Sequence, residues 1–212
     1  GNVTEGNIIV NATDKGTVRL ILNNASISNT TTAPIKVLDA KKVILTLADN
    51  TTNTITDSSR LFTEEDYSAA IYSKEDLIIN GNGTLNVNAG YRNGIKSTDD
   101  CIIVSGTLNI TSTEDGIIGK DLCGVVAGDI NINAGSDGIK STYDTDTTKG
   151  NVIIEGGNIT IKASNDGIQA ENILVINDGT INIKTNNGAA DTTQTHTDNM
   201  YMGRGGFGFN NN

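Results

Sequence analysis

The chain has 212 residues, a formal net charge of −10, one proline, one histidine and 4% aromatic residues. That length suits one domain, and the acidic balance excludes an electrostatic nucleic-acid binder. No apolar run approaches the roughly 18 to 20 residues that span a membrane, so insertion is excluded as well. The chain carries no signal peptide, but Gly1 reads as the start of a mature chain, so this does not argue for the cytoplasm.

Val18–Leu22 is the first clear apolar run, part of an opening coil or of its cap. Ile35–Leu38 with Val43–Leu47 makes a second coil. Glu64-Glu65-Asp66 reads as a charged surface loop. Ala70–Ser73, Leu77–Ile79 and Leu85–Val87 make a third coil.

From Asn93 onward a phrase recurs. It reads Asn93-Gly94-Ile95-Lys96-Ser97, then Asp115-Gly116-Ile117-Ile118-Gly119, Asp137-Gly138-Ile139-Lys140-Ser141 and Asp166-Gly167-Ile168-Gln169-Ala170. The glycines stand 22, 22 and 29 residues apart. A fixed period of that size marks a solenoid, one supersecondary unit stacked many times. Each phrase precedes two short apolar runs, as in Cys101–Val104 and Leu108–Ile110. The second run alternates apolar and polar residues, the mark of a strand with one buried face. Turns such as Ser105-Gly106 and Ala127-Gly128 divide the runs, where glycine supplies positive φ.

Three short strands fill one period, and at roughly 3.3 Å per residue no helix fits beside them. The runs are β-branched, which disfavours a helical solenoid. The predicted fold is all-β, a right-handed parallel β-helix of about seven or eight coils. Residues 1–202 form one β-helix domain with irregular N-terminal cap coils, and residues 203–212 form a Gly/Asn-rich tail. Asn187-Gly188-Ala189-Ala190 opens a last, incomplete coil.

Stacking places equivalent residues in columns about 4.8 Å apart. Asp115, Asp137 and Asp166 then form a ladder of carboxylates headed by Asn93, with Glu114 and Asn165 beside it and Asp121 and Glu171 nearby. Acids this close repel one another unless a cation sits among them, and calcium takes several oxygen ligands. The other reading is that each Asp accepts hydrogen bonds from the turn before the glycine. The nonapeptide repeat of calcium-binding β-rolls is absent.

The 29-residue period carries an insertion, Tyr143–Lys149, where Asp144 and Asp146 alternate like calcium-loop ligands or belong to a solvated polar loop. Lys96, Lys120 and Lys140 follow the phrase. They serve as structural ion pairs, as contacts to an acidic sugar, or as the base of a β-elimination. Tyr91 and Tyr143 flank the same face and suit sugar stacking. Cys101 and Cys123, 22 residues apart, share a column, either as a buried small-residue ladder or as a disulfide between neighbours.

These phrases, together with Tyr72-Ser73-Lys74-Glu75-Asp76-Leu77 and Lys149–Gly157, resemble a bacterial family of secreted carbohydrate-binding β-helix proteins. The resemblance covers roughly residues 15 to 190. It implies a polysaccharide-lyase-like topology, calcium binding (two or three ions) and recognition of cellulose-type and acidic plant polysaccharides at the cell surface, without established lyase activity. Carried over residue by residue, it favours Asp115, Asp137, Asp144, Asp166 and Glu171 as calcium ligands. Ile118 and Leu122 stand where more polar residues are expected. The expected protein is an extracellular monomer that binds polysaccharide or oligosaccharide. The alternative is a calcium-dependent, pectate-type lyase with a lysine base. The chain's arginines, Arg19, Arg60, Arg92 and Arg204, all lie outside the most acidic coils, which favours binding over lysis.

Overall fold

The computed structural model describes residues 1–14, 16–58 and 67–185. Among these residues lie 22 strands and no helix, hence no helix long and apolar enough to cross a membrane. After an opening strand, Asn2–Thr4, the chain visits three sheets in fixed order, seven times over.

The phrase sheet holds Ile8–Asn11, Ile35–Asp39, Ala69–Ser73, Asn93–Ser97, Ile117–Gly119, Ile139–Lys140 and Ile168–Gln169. The middle sheet holds Thr17–Leu22, Lys42–Leu47, Asp76–Gly81, Cys101–Ile103, Leu122–Val125, Asn151–Ile154 and Leu174–Ile176. The third holds Asn2–Thr4, Ser26–Asn29, Thr52–Asp57, Thr84–Ala89, Thr107–Ser112, Asp129–Ala134, Asn158–Ala163 and Thr180–Thr185. Strand n pairs in parallel with strand n+3, as in Ile95↔Ile117↔Ile139↔Ile168. This is the parallel β-helix that the repeat predicts, with seven complete turns among the described residues. The Glu64-Glu65-Asp66 loop, the Asn187–Ala190 start of a coil and the 203–212 tail lie outside them.

Inward positions stack into aliphatic columns. Ile35, Ile71, Ile95, Ile117 and Ile139 form one on the phrase sheet, all buried. Leu45, Ile79, Ile103, Val125 and Ile154 form one on the middle sheet. Burying one such side chain contributes about 1.5–3 kcal/mol, so the stacked core supplies the stability that aromatics supply elsewhere. Asn53 interrupts the Leu85–Leu108–Ile130–Ile159 column without leaving a polar atom bare. Its Oδ1 accepts the Ala25 N–H at 2.9 Å, and its Nδ2 donates to Thr51 Oγ1 at 3.1 Å and to the Thr84 carbonyl at 3.2 Å.

Cys101 and Cys123 are paired in register as the sequence predicts, and both are free, buried thiols. Burial pushes the Cys123 thiol up to about 12 and holds Cys101 well above its ordinary value. Neither supplies a thiolate at neutral pH.

Two glycine columns have different causes. Gly106 and Gly128 turn the chain at φ 110° and 117°, where a side chain is strained. Gly94, Gly116 and Gly138 have no such φ, but a Cβ on Gly116 would stand 2.5 Å from the Gly138 carbonyl oxygen and 2.5 Å from Ile132 Cγ2. The phrase needs glycine because the backbone of the next coil and an isoleucine side chain of the third sheet already fill the space a Cβ would take.

Candidate functional site

The residue before each phrase glycine sits at the corner that leads into the strand, and its side chain ties one coil to the next. Asn93 Oδ1 accepts the Asp115 N–H at 3.1 Å, Asp115 Oδ1 accepts that of Asp137 at 3.0 Å, and Asp137 Oδ1 accepts that of Asp166 at 3.0 Å. These short polar side chains satisfy corner amides that would otherwise lack an acceptor. The second oxygens of Asp137 and Asp115 face Lys140, whose Nζ lies 2.7 Å and 3.9 Å away. Asp137 is 4% exposed and Asp115 is 9% exposed, so the single lysine charge offsets part of the charge of two buried carboxylates. Burial alone would lower the Lys140 pKa. The hydrogen bond that Lys140 donates to Asp137 and the charges of Asp115, Asp137 and Asp166 outweigh that and raise it.

The structure gathers the expected column but leaves its neighbours apart. Glu114, Asn165, Asp166 and Glu171 are exposed. Glu114 stands 3.9 Å from Arg92 Nε, and Asn165 donates to Ser136 Oγ at 3.1 Å. Asp144 is exposed on the insertion, while Asp146 accepts the Thr148 N–H at 2.9 Å and its hydroxyl at 2.7 Å, closing a local turn.

The lysines separate by environment. Lys96 shares a column with Lys140, its Nζ 3.2 Å from Ser68 Oγ, and burial with the Arg92 charge lowers its pKa. Lys120 is exposed, its Nζ 4.8 Å from the centre of the Tyr143 ring. Lys149 approaches the same ring at 4.9 Å. Tyr91 lies apart from that group, its N–H donating to Asp57 Oδ1 at 3.1 Å.

A second acidic group lies where the phrase sheet turns into the middle sheet. Carboxylate oxygens of Asp76, Asp99 and Asp100 all lie within 4.8 Å of one another. Burial, a hydrogen bond with Asp121 and the charges of Asp76, Asp121 and Asp100 push Asp99 up to about 6. Burial and the charges of Asp76 and Asp121 raise Asp100 as well. Crowding of this kind is what a divalent cation relieves, and an all-oxygen donor set fits calcium. Asp121 joins this corner to the insertion, because Lys149 Nζ donates to its Oδ2.

Asp99 also sets a pH dependence. Its folded pKa of about 6 lies above the ordinary 3.8, so between these values the folded chain holds a proton that the unfolded chain releases. Its contribution favours folding below that window and is lost as pH rises through about 6. In chelator, the melting temperature should fall between pH 4 and 6.5 in the wild type and fall less in Asp99→Asn, as followed by circular dichroism.

Sequence reasoning missed Asp76, Asp99 and Asp100. One signal was present: Asp76 and Asp100 each stand one residue before an apolar run whose members, Leu77 and Cys101, pair in register.

Known proteins share this architecture. A family described as carbohydrate-binding domain-containing protein matches residues 1–205. The chain belongs to that family. A carbohydrate-binding domain-containing protein of Acetivibrio thermocellus is 36% identical over 114 residues, which is 52% of this chain and 40% of that protein. This family member thus spans less than half of that relative's length. A solved structure, the gadolinium derivative of the polysaccharide lyase-like protein from C. thermocellum, superposes with a TM-score of 0.77 at 31% identity. The match covers 87% of this chain and 80% of that one. The carbohydrate-binding family and the polysaccharide lyase-like architecture are those the phrases resemble.

Proposed function

We propose that this family member is an extracellular, monomeric, non-catalytic protein that binds plant cell-wall polysaccharides, both cellulose-type and uronate, with calcium assisting the acidic ones. One observation carries the uronate reading. The Asp76–Asp99–Asp100 corner connects through Asp121 and Lys149 to the Tyr143 ring and the exposed Lys120 ammonium. A calcium ion held by the three aspartates would present open coordination positions to a sugar carboxylate. Lys120 supplies a second anion contact, and the Tyr143 ring offers an apolar face to a pyranose.

Lysis is the second reading, and Lys96 is the residue that favours it. A general base must lose its proton near neutral pH, and burial lowers the Lys96 pKa in that direction. Lys140 is held charged by Asp137 and does not serve.

Asp99→Asn/Asp100→Asn tests the calcium-assisted reading. Wild-type affinity for oligogalacturonate, measured calorimetrically, is expected to rise at least tenfold from chelator to millimolar calcium, and the double variant should lose that increment. Equal wild-type affinity in calcium and in chelator would contradict it.

A further inference from the structure

The outer face of the third sheet is unlike the rest of the molecule. Its six strands from Thr52–Asp57 to Thr180–Thr185 pair over six residues each with no register shift. Three outward positions per strand therefore form a regular grid. Neighbours stand about 4.8 Å apart along the solenoid and about 7 Å apart along the strand. Every grid position is Thr or Asn except Asp129, Lys162 and Lys184. The face is nearly neutral on a chain of net charge −10.

The middle column, Thr54, Asn86, Asn109, Asn131, Thr160 and Asn182, is partly pre-ordered. Asn131 Nδ2 donates to Asn109 Oδ1 at 3.1 Å, and Asn109 Nδ2 donates to Asn86 Oδ1 at 2.9 Å. In the flanking columns Asn88 Nδ2 donates to Thr56 Oγ1 at 3.3 Å and Asn158 Nδ2 to Asp129 Oδ1 at 2.8 Å. Each amide still has a free N–H and oxygen lone pairs for a partner. The orientation is fixed before binding, so little side-chain entropy is lost on contact.

We propose that this Asn/Thr face is a docking surface for an ordered array of neutral polysaccharide chains, and that it is separate from the calcium corner. The inference rests on the carbohydrate-binding reading but not on the uronate site. A single neutral hydrogen bond contributes only about 0.5–1.5 kcal/mol, so a flat face without aromatics needs many contacts at once. A free chain in solution would lose conformational freedom at each contact. A packed array of chains has already lost it and presents repeating hydroxyls. With Asp129 its single carboxylate and its two lysines confined to Lys162 and Lys184 at one end, the rest of the face offers neither a calcium cage nor an anion contact.

The test is depletion of the full chain from solution by microcrystalline cellulose, compared with binding to soluble cello-oligosaccharide and to oligogalacturonate. The wild type should partition onto the particles and bind the soluble neutral sugar at least tenfold more weakly. Asn109→Glu/Asn131→Glu should lose at least tenfold in partitioning while keeping its oligogalacturonate affinity. Thr160→Arg serves as a second variant if the first fails to fold, with thermal melts as the check. Partitioning of a folded variant at the wild-type level would overturn the proposal. So would equal wild-type affinity for soluble and particulate glucan, or thermal hysteresis of ice in place of glucan binding. If oligogalacturonate binding fails while particles are still bound, the uronate site is wrong and this face stands.

Discussion

Gly116→Ala should lower the melting temperature by about 10 °C or abolish folding. The added Cβ would stand 2.5 Å from the Gly138 carbonyl oxygen and 2.5 Å from Ile132 Cγ2. The oxygen cannot move aside, because it accepts the Ile117 N–H at 3.0 Å within the coil stack. Overpacking of this kind costs about 3 kcal/mol, and in a chain of this size each kcal/mol shifts the melting temperature by about 2–4 °C. Gly124→Ala, in the same turn, is the control. Its Cβ would meet only the Ile102 side chain, at 3.5 Å or more, an ordinary contact. That variant should melt within a few degrees of the wild type. If Gly116→Ala also melted there, the coils would not be stacked as described.

The second large effect is expected at Asp137. Asp137→Ala removes the acceptor of the Asp166 N–H and the nearer partner of the half-buried Lys140. Lys140 is partly exposed and keeps Asp115 at 3.9 Å, so the loss falls below that of a fully buried pair, at about 1–3 kcal/mol with the orphaned Asp166 N–H included. Asp137→Asn should cost less, since an amide oxygen can still accept the Asp166 N–H, as Asn93 accepts that of Asp115. Urea unfolding in chelator and in calcium separates the column's two readings. If the column is a backbone-capping ladder, the Asp137→Ala loss is the same in both. A loss that appears only in calcium would make Asp137 a metal ligand.

The architecture was legible because the repeat is a covalent fact. The glycine spacing fixed which residues share a column, and so predicted the Cys101–Cys123 register and the Asp115–Asp137–Asp166 ladder. What a column does was less legible. A ladder of aspartates suggests a cation from sequence, but the direction of each oxygen depends on which backbone amides lack acceptors at the corner. The Asp76–Asp99–Asp100 group was hidden for another reason. Asp76 and Asp100 are equivalent positions of adjacent coils, but Asp76 lies in a coil without the recurring glycine phrase that sets the columns, so its place beside Asp100 needs the strand register on both sides. The Asn/Thr grid was spread over strands each of which reads as an ordinary amphipathic run.

Titration of metal-stripped protein with oligogalacturonate, with and without calcium, while following ultraviolet absorbance of unsaturated product, tests the central claim most directly. Calcium-strengthened binding with no rise in absorbance is the predicted result. A calcium-dependent rise that disappears in Lys96→Ala would contradict it and make the chain a lyase.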